Sequence, residues 1–224
     1  MDACSRWSSL DKTLSLQPVN KEDKSILKQY LPESAVDQVS KWIVRNKVHF
    51  KITRNRKTKL GDYRPPIHHP NHRISVNNNL NPYSFLITFV HELAHLQVFE
   101  DYKTTVQPHG AEWKKAYQKL MLVMLKNDIF PNDIKQVLSK SIVNAKASST
   151  AELDLSRVLL RYDSKDIQDN NEARVEDLTT NTVFRTESGI QFKKGEKQRT
   201  RYKCLNLQNN RQYLFHPLTP VRKV

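Results

Sequence analysis

An α+β fold, with one buried helix beside a short sheet, is what this 224-residue chain predicts, and three observations carry it. The first is the stretch Asn81 to Glu100, NPYSFLITFVHELAHLQVFE, which as a helix is apolar over most of its circumference and broken by a single polar stripe. The second is the alternation of Val48, Phe50 and Ile52 with His49, Lys51 and Thr53, the period of a half-buried strand. The third is a run of short β segments beyond Val175, separated by polar or glycine-containing turns.

Taken in order, residues 1–20 show no sustained periodicity and read as a flexible N-terminus. A short helix over residues 21–30 is followed by Pro32 and a second helix over 33–47. Its apolar face is Val36, Val39, Ile43 and Val44, with Trp42 at the flank. The strand from Val48 leads into a basic turn at 54–59. A second short strand over 60–64 is stopped by Pro65 and Pro66, and residues 72–77 form a third. Asn77-Asn78-Asn79 is turn chemistry. The buried helix then opens with Asn81 as N-cap and Pro82 at its first position. It ends at Glu100 in a polar connection, residues 101–108. A helix over 111–127 has Trp113, Ala116, Tyr117, Leu120, Met121, Met124 and Leu125 on its apolar face, and Pro131 opens a further one carrying Ile134, Val137 and Leu138. This first domain spans 21–145. The Ala, Ser and Lys composition of 144–150, a helix over 152–162 and the polar run 163–171 make 146–174 a helix and linker. Segments 182–185, 189–192, 199–206 and 211–215 then form a small basic β module over 175–224. Its expected core is Phe192, Tyr202, Tyr213, Leu214 and Phe215.

The composition narrows the classes. A formal net charge of +14 suits a protein that works beside phosphate backbones. No run of 18 apolar residues exists, so no membrane partner is expected, and the N-terminus shows no apolar stretch of secretory type. Cys4 and Cys204 stand in no metal spacing, which excludes a disulfide framework and a cysteine zinc site and points to a cytoplasmic location.

The polar stripe of the buried helix consists of Ser84, Thr88, His91, Glu92 and His95. Two imidazoles and a carboxylate on a buried surface need something to satisfy them. In His91-Glu92-Leu93-Ala94-His95 the imidazoles stand at i and i+4, offset by only about 40° around the helix, so both ring nitrogens reach one metal ion. Glu92, beside the first ligand, is placed to take a proton from an attacking water. A catalytic zinc takes three protein ligands. The spacing with Gly at 98 and His at 101 is absent, since Val98 and Asp101 stand there. His109 and Glu112 are the candidates for the third ligand. His109 is preferred on ligand chemistry, with Gly110 suiting a close backbone approach; Glu112 is then a carboxylate that orients an imidazole or a solvated helix residue.

HELAH followed by Gln107-Pro108-His109-Gly110-Ala111-Glu112-Trp113 resembles the SprT-like zinc metalloproteases. Upstream, Lys59-Leu60-Gly61-Asp62-Tyr63-Arg64 and His72-Arg73-Ile74-Ser75-Val76-Asn77 look similar too, so the resemblance covers about residues 30–130. It implies a zincin-like core with His91, His95 and His109 holding one zinc ion and Glu92 as catalytic base. It also implies a protease acting on DNA-associated or DNA-crosslinked proteins and stimulated by DNA. Many of these proteins end in a four-cysteine zinc ribbon. Here Cys204 stands alone, with Leu207 where its partner would be, so the β module is read as metal-free.

Two basic regions are candidate nucleic-acid contacts: Arg54, Arg56, Lys57 and Lys59 in the first domain, and Arg199, Arg201 and Lys203 in the module. Tyr202, Tyr213 and Phe215 interleave with the second cluster as stacking residues for single-stranded DNA would, although a small module needs its aromatics as core. His68, His69 and His72 read as a loop near the cleft rather than a second metal site, with His72 a candidate substrate contact. Tyr102 or a cleft histidine is a candidate oxyanion stabiliser. The reading is a zinc-dependent endopeptidase whose partners are protein substrates and DNA. A DNA-binding module with a non-catalytic zincin fold and a general cytoplasmic zinc peptidase are the alternatives; the intact Glu92 argues against the first.

Overall fold

A computed structural model of the chain describes residues 12–13, 21–56, 58–67, 69–143, 149–163 and 172–224. The expectations for the N-terminal stretch other than Lys12–Thr13, which pair as a strand rather than standing loose, for Lys57 and His68, and for most of 144–150 and 163–171 lie outside the described residues. The fold is mixed α and β and divides into two compact units: residues up to 147 with 154–163, and residues 148–153 with 164–224.

In the first unit, α1 (Lys21–Lys28) and α2 (Glu33–Arg45) lie between the first and second strands of a four-stranded sheet. The strands are β1 (Lys12–Thr13), β2 (His49–Thr53), β3 (Gly61–Arg64) and β4 (Arg73–Asn77), in the order β1-β2-β4-β3. Strand β2 runs parallel to β4, pairing His49 with Arg73 through Thr53 with Asn77; β3 runs antiparallel to β4, pairing Gly61 with Val76 through Arg64 with Arg73. The period of two sends Phe50, Ile52, Ile74 and Val76 into the core. There they meet α3 (Pro82–Tyr102), with Phe50 edge-on to Phe85 at 6.2 Å and to Phe89 at 5.3 Å. Helix α4 (Ala111–Lys126) packs along α3, and α5 (Asn132–Val143) follows it.

The N-cap of α3 does more than start a helix. Asn81 Oδ1 accepts from the amides of Tyr83 (3.1 Å) and Ser84 (2.9 Å), satisfying two of the orphan donors. Its Nδ2 donates to Leu159 O at 2.9 Å and Asp163 Oδ1 at 2.6 Å. Asn81 therefore ties α3 to the end of α6 (Ser149–Leu159). Residues 154–163 accordingly pack with the first unit rather than standing as a linker helix.

Two helix ends and one helix face differ from expectation. Helix α2 stops at Arg45, and Lys47, at φ 47°, turns the chain out. Within α2, Trp42 is core at 8% exposure while Val44 is 44% exposed. At 100° per residue, Val44 falls about 140° from Val39 and Trp42 only about 60° from it. Helix α3 runs on to Tyr102, where Lys103, at φ 54°, ends it.

The second unit is a six-stranded sheet in the order β5-β10-β6-β7-β8-β9, antiparallel at every pair. The strands are β5 (Glu172–Arg174), β6 (Val183–Arg185), β7 (Gln191–Gln198), β8 (Arg201–Asn206), β9 (Gln212–Phe215) and β10 (Pro220–Lys223). Strands β5 and β10 escape a reading by alternation, because Val221 alone of β10 is buried and β5 buries no residue. The core is Val175, Leu178, Phe184, Phe192, Cys204 and Val221, with Tyr202 and Phe215 packed against it. Leu214 is exposed instead: its neighbours Tyr213 and Phe215 take the inner face, and Tyr213, on the edge strand, covers only the rim of Phe192 (5.6 Å). Lys194 is buried despite its charge. Its ammonium donates to the carbonyls of Glu176 and Leu178 and lies 4.2 Å from the centre of the Tyr202 ring.

Candidate metal centre

The site begins with helical spacing. His91 and His95 stand one turn apart on α3, and the chain returns to them at the start of α4. The return is a tight turn in which His109 itself takes the left-handed conformation, at φ 58°. Gly110 is not left-handed, but a Cβ on it would meet Gln107 O at 3.0 Å and Glu112 Oε2 at 3.2 Å. The glycine thus allows the close approach, and the histidine bears the strain.

The result is a triangle of Nε2 atoms: 3.3 Å between His91 and His95, 3.1 Å between His95 and His109, and 3.0 Å between His109 and His91. A neutral imidazole carries one N–H, and a nitrogen that donates cannot also accept, so these three contacts cannot all be hydrogen bonds. One cation at the centre makes every lone pair a ligand. At the zinc–nitrogen distance of about 2.0–2.1 Å, tetrahedral ligands stand about 3.3 Å apart, which the triangle fits. Burial first, and the neighbouring imidazoles second, push His91 and His95 down to about 4, so both rings are neutral and able to bind metal. The three histidines could therefore hold a metal ion.

Trp113 supports all three rings. Its indole centroid lies 4.6 Å from that of His91, 5.4 Å from His95 and 4.7 Å from His109. Tyr117, one turn on, stacks on it at 5.0 Å and 10°. From sequence Trp113 was only an apolar-face residue; its position four residues after His109 was the available signal. Glu112 makes no hydrogen bond to these imidazoles among the described contacts.

Glu92, between the two helical ligands in sequence, lies against strand β3 and is 8% exposed. Burial, assisted by the charge of Asp62, pushes its carboxyl up to about 7; the Tyr63 amide, Arg56 and Lys59 act in the opposite direction. Strand β3 fits over this carboxylate because it opens with glycine. It is also the edge of its sheet. Leu60 O accepts from the Asn77 amide across the ladder, so by alternation Gly61 and Tyr63 direct their backbone groups outward.

His72 is a pillar of this strand rather than an exposed contact. Its Nδ1 meets the Tyr63 hydroxyl at 2.9 Å and its Nε2 meets Glu100 Oε1 at 3.1 Å. The basic candidates divide similarly. Arg56 is turned inward, its Nε donating to Asn77 Oδ1 (2.7 Å) and its Nη1 to Ser75 Oγ (3.0 Å). Lys59 bridges to Asp62 at 2.8 Å. Arg54 is exposed on the same turn, Arg199 and Arg201 are exposed at the β7–β8 turn, and Lys203 is half-buried. Tyr102 is 44% exposed at the end of α3.

No helix among the described residues is long and apolar enough to cross a membrane. Comparison with curated proteins and with solved structures gives no match. A family model does match, over residues 32–136, and its description is the SprT-like family. That span holds β2 to β4, Glu92 and all three clustered histidines, and over residues 32–136 the chain matches the SprT-like family.

Proposed function

We propose that the first unit is a zinc-dependent endopeptidase, with His91, His95 and His109 as metal ligands and Glu92 as the general base. The observation that carries this reading is the Nε2 triangle with a raised carboxylate next to it on the same helix. The match to a metalloprotease family gives independent support. Zinc, when bound, supplies Lewis-acid polarisation of the scissile carbonyl and makes water a better nucleophile.

The chain's own residues do the rest. Glu92 accepts a proton from the attacking water as the C–O bond forms, and returns it to the leaving amine as the C–N bond breaks. A carboxyl near 7 suits both transfers at neutral pH. The outward backbone groups of β3 other than the Tyr63 amide, which Glu92 engages, offer an extended peptide a strand to pair with, which would hold its carbonyl beside the site. Proteins associated with or crosslinked to DNA are the proposed substrates, with the net charge of +14 favouring recruitment along DNA. The test is cleavage of a DNA-binding protein with and without single-stranded DNA. Faster cleavage with DNA supports this substrate class, and cleavage indifferent to DNA leaves a general peptidase.

A further inference from the structure

The face of the four-stranded sheet that α3 does not cover carries a concavity of about 390 Å³. It is walled by the polar half of each strand's alternation. The register sets His49, Arg73 and Arg64 side by side across β2, β4 and β3, with Lys51, Ser75 and Asp62 in the next row. Like charges directly opposite on neighbouring strands destabilise a sheet, yet Arg73 stands directly opposite Arg64, with His49 on its other side. Among the described residues, Asp62 is the one acid in the lining, and it is engaged by Lys59 and Arg64, each at 2.8 Å. Arg73 Nε and Arg56 Nη2 are buried without a hydrogen-bond partner. Unmade bonds on a guanidinium are costly, and both of these arginines line the concavity. The field there is positive: after burial, His69, Arg73 and Lys51 all hold the His49 imidazole below its usual range.

We propose that this sheet face binds the phosphodiester backbone of a nucleic-acid strand. The inference deepens the proposed function and rests on its DNA-associated part. Width argues for a strand over a single phosphate: neighbouring strands lie about 4.8 Å apart, so the basic row spans roughly 10 Å. Side-chain chemistry argues against an acidic peptide. Strands β2 and β4 are interior to the sheet, so this face offers a ligand side chains, most of them basic, rather than free backbone groups.

Fluorescence anisotropy of a labelled oligothymidylate on the full chain tests this, across a salt series, with Arg73→Gln and Lys51→Gln and a thermal melt of each. The expected result is about tenfold weaker binding for each variant and a log–log salt slope shallower by about 0.7. Should Arg73→Gln fail to fold, Lys51→Gln carries the test. Wild-type affinity and slope in folded variants would overturn the site while leaving DNA association standing. A wild-type chain that does not bind the oligonucleotide would sink both the site and that part of the proposed function. Polyglutamate displacing the strand at equal charge would replace the proposal with a general polyanion face.

Discussion

Strand β3 passes over Glu92 with no room to spare, and Gly61→Ala measures how closely that strand controls the carboxylate. A Cβ at Gly61 would lie 2.6 Å from Glu92 Oε1, 2.7 Å from Thr88 Cγ2 and 2.8 Å from Glu92 Cγ. Comfortable contacts with carbon need about 3.5–4.0 Å, so strand or carboxylate must yield by roughly 1 Å. Overpacking of this kind costs about 1–3 kcal/mol, and a catalytic group misplaced by about 1 Å loses about 10²-fold in rate. The histidines lie off this contact and should keep their metal. Three readouts on one preparation separate the effects: metal content, denaturant midpoint and peptide cleavage. The expected variant holds metal as the wild type does, is less stable by an amount in that range and cleaves about a hundredfold more slowly. Wild-type stability together with wild-type cleavage would refute the idea that β3 presses on Glu92.

Further outcomes follow from other contacts. His109→Ala removes one corner of the Nε2 triangle and should abolish metal binding, read by metal analysis and by loss of the metal-dependent change in Trp113 fluorescence. Asn81→Ala deletes the cap of α3 and the tie to Leu159 and Asp163, and should cost about 2–3 kcal/mol in chemical denaturation. Lys194→Met leaves two buried carbonyls without their donor, an expected loss of about 1–3 kcal/mol in the second unit. Burial holds the Lys194 ammonium below its ordinary 10.5, so between the two values the unfolded chain binds more protons. This group's contribution to stability therefore rises with pH in that window, and denaturation midpoints of Lys194→Met should lack the rise.

The sequence carried most of the site because its parts are local. Ligands at i and i+4 define a helix face without tertiary information, and Asn81-Pro82 marks where that helix begins. The alternation from Val48 likewise exposed one face of the sheet before its partners were known. What stayed hidden depends on contacts between distant segments. Nothing local distinguishes Lys194 from Lys193, yet one faces carbonyls in the core and the other solvent. Arg56 reads as a loop cation until Asn77, buried on β4, takes its guanidinium. The role of His72 depends on Tyr63, on a neighbouring strand, and on Glu100, on α3. Strand β10 has a single inward residue, too few for any period to show.

The most direct test of the central claim is protein cleavage by Glu92→Gln, with bound zinc measured in the same sample. The substitution keeps the shape and the ligands and removes the base. The account predicts zinc at the wild-type level, close to one ion per chain, with cleavage lost. Cleavage at the wild-type rate by zinc-loaded Glu92→Gln, or a wild-type chain that binds no zinc, would contradict it.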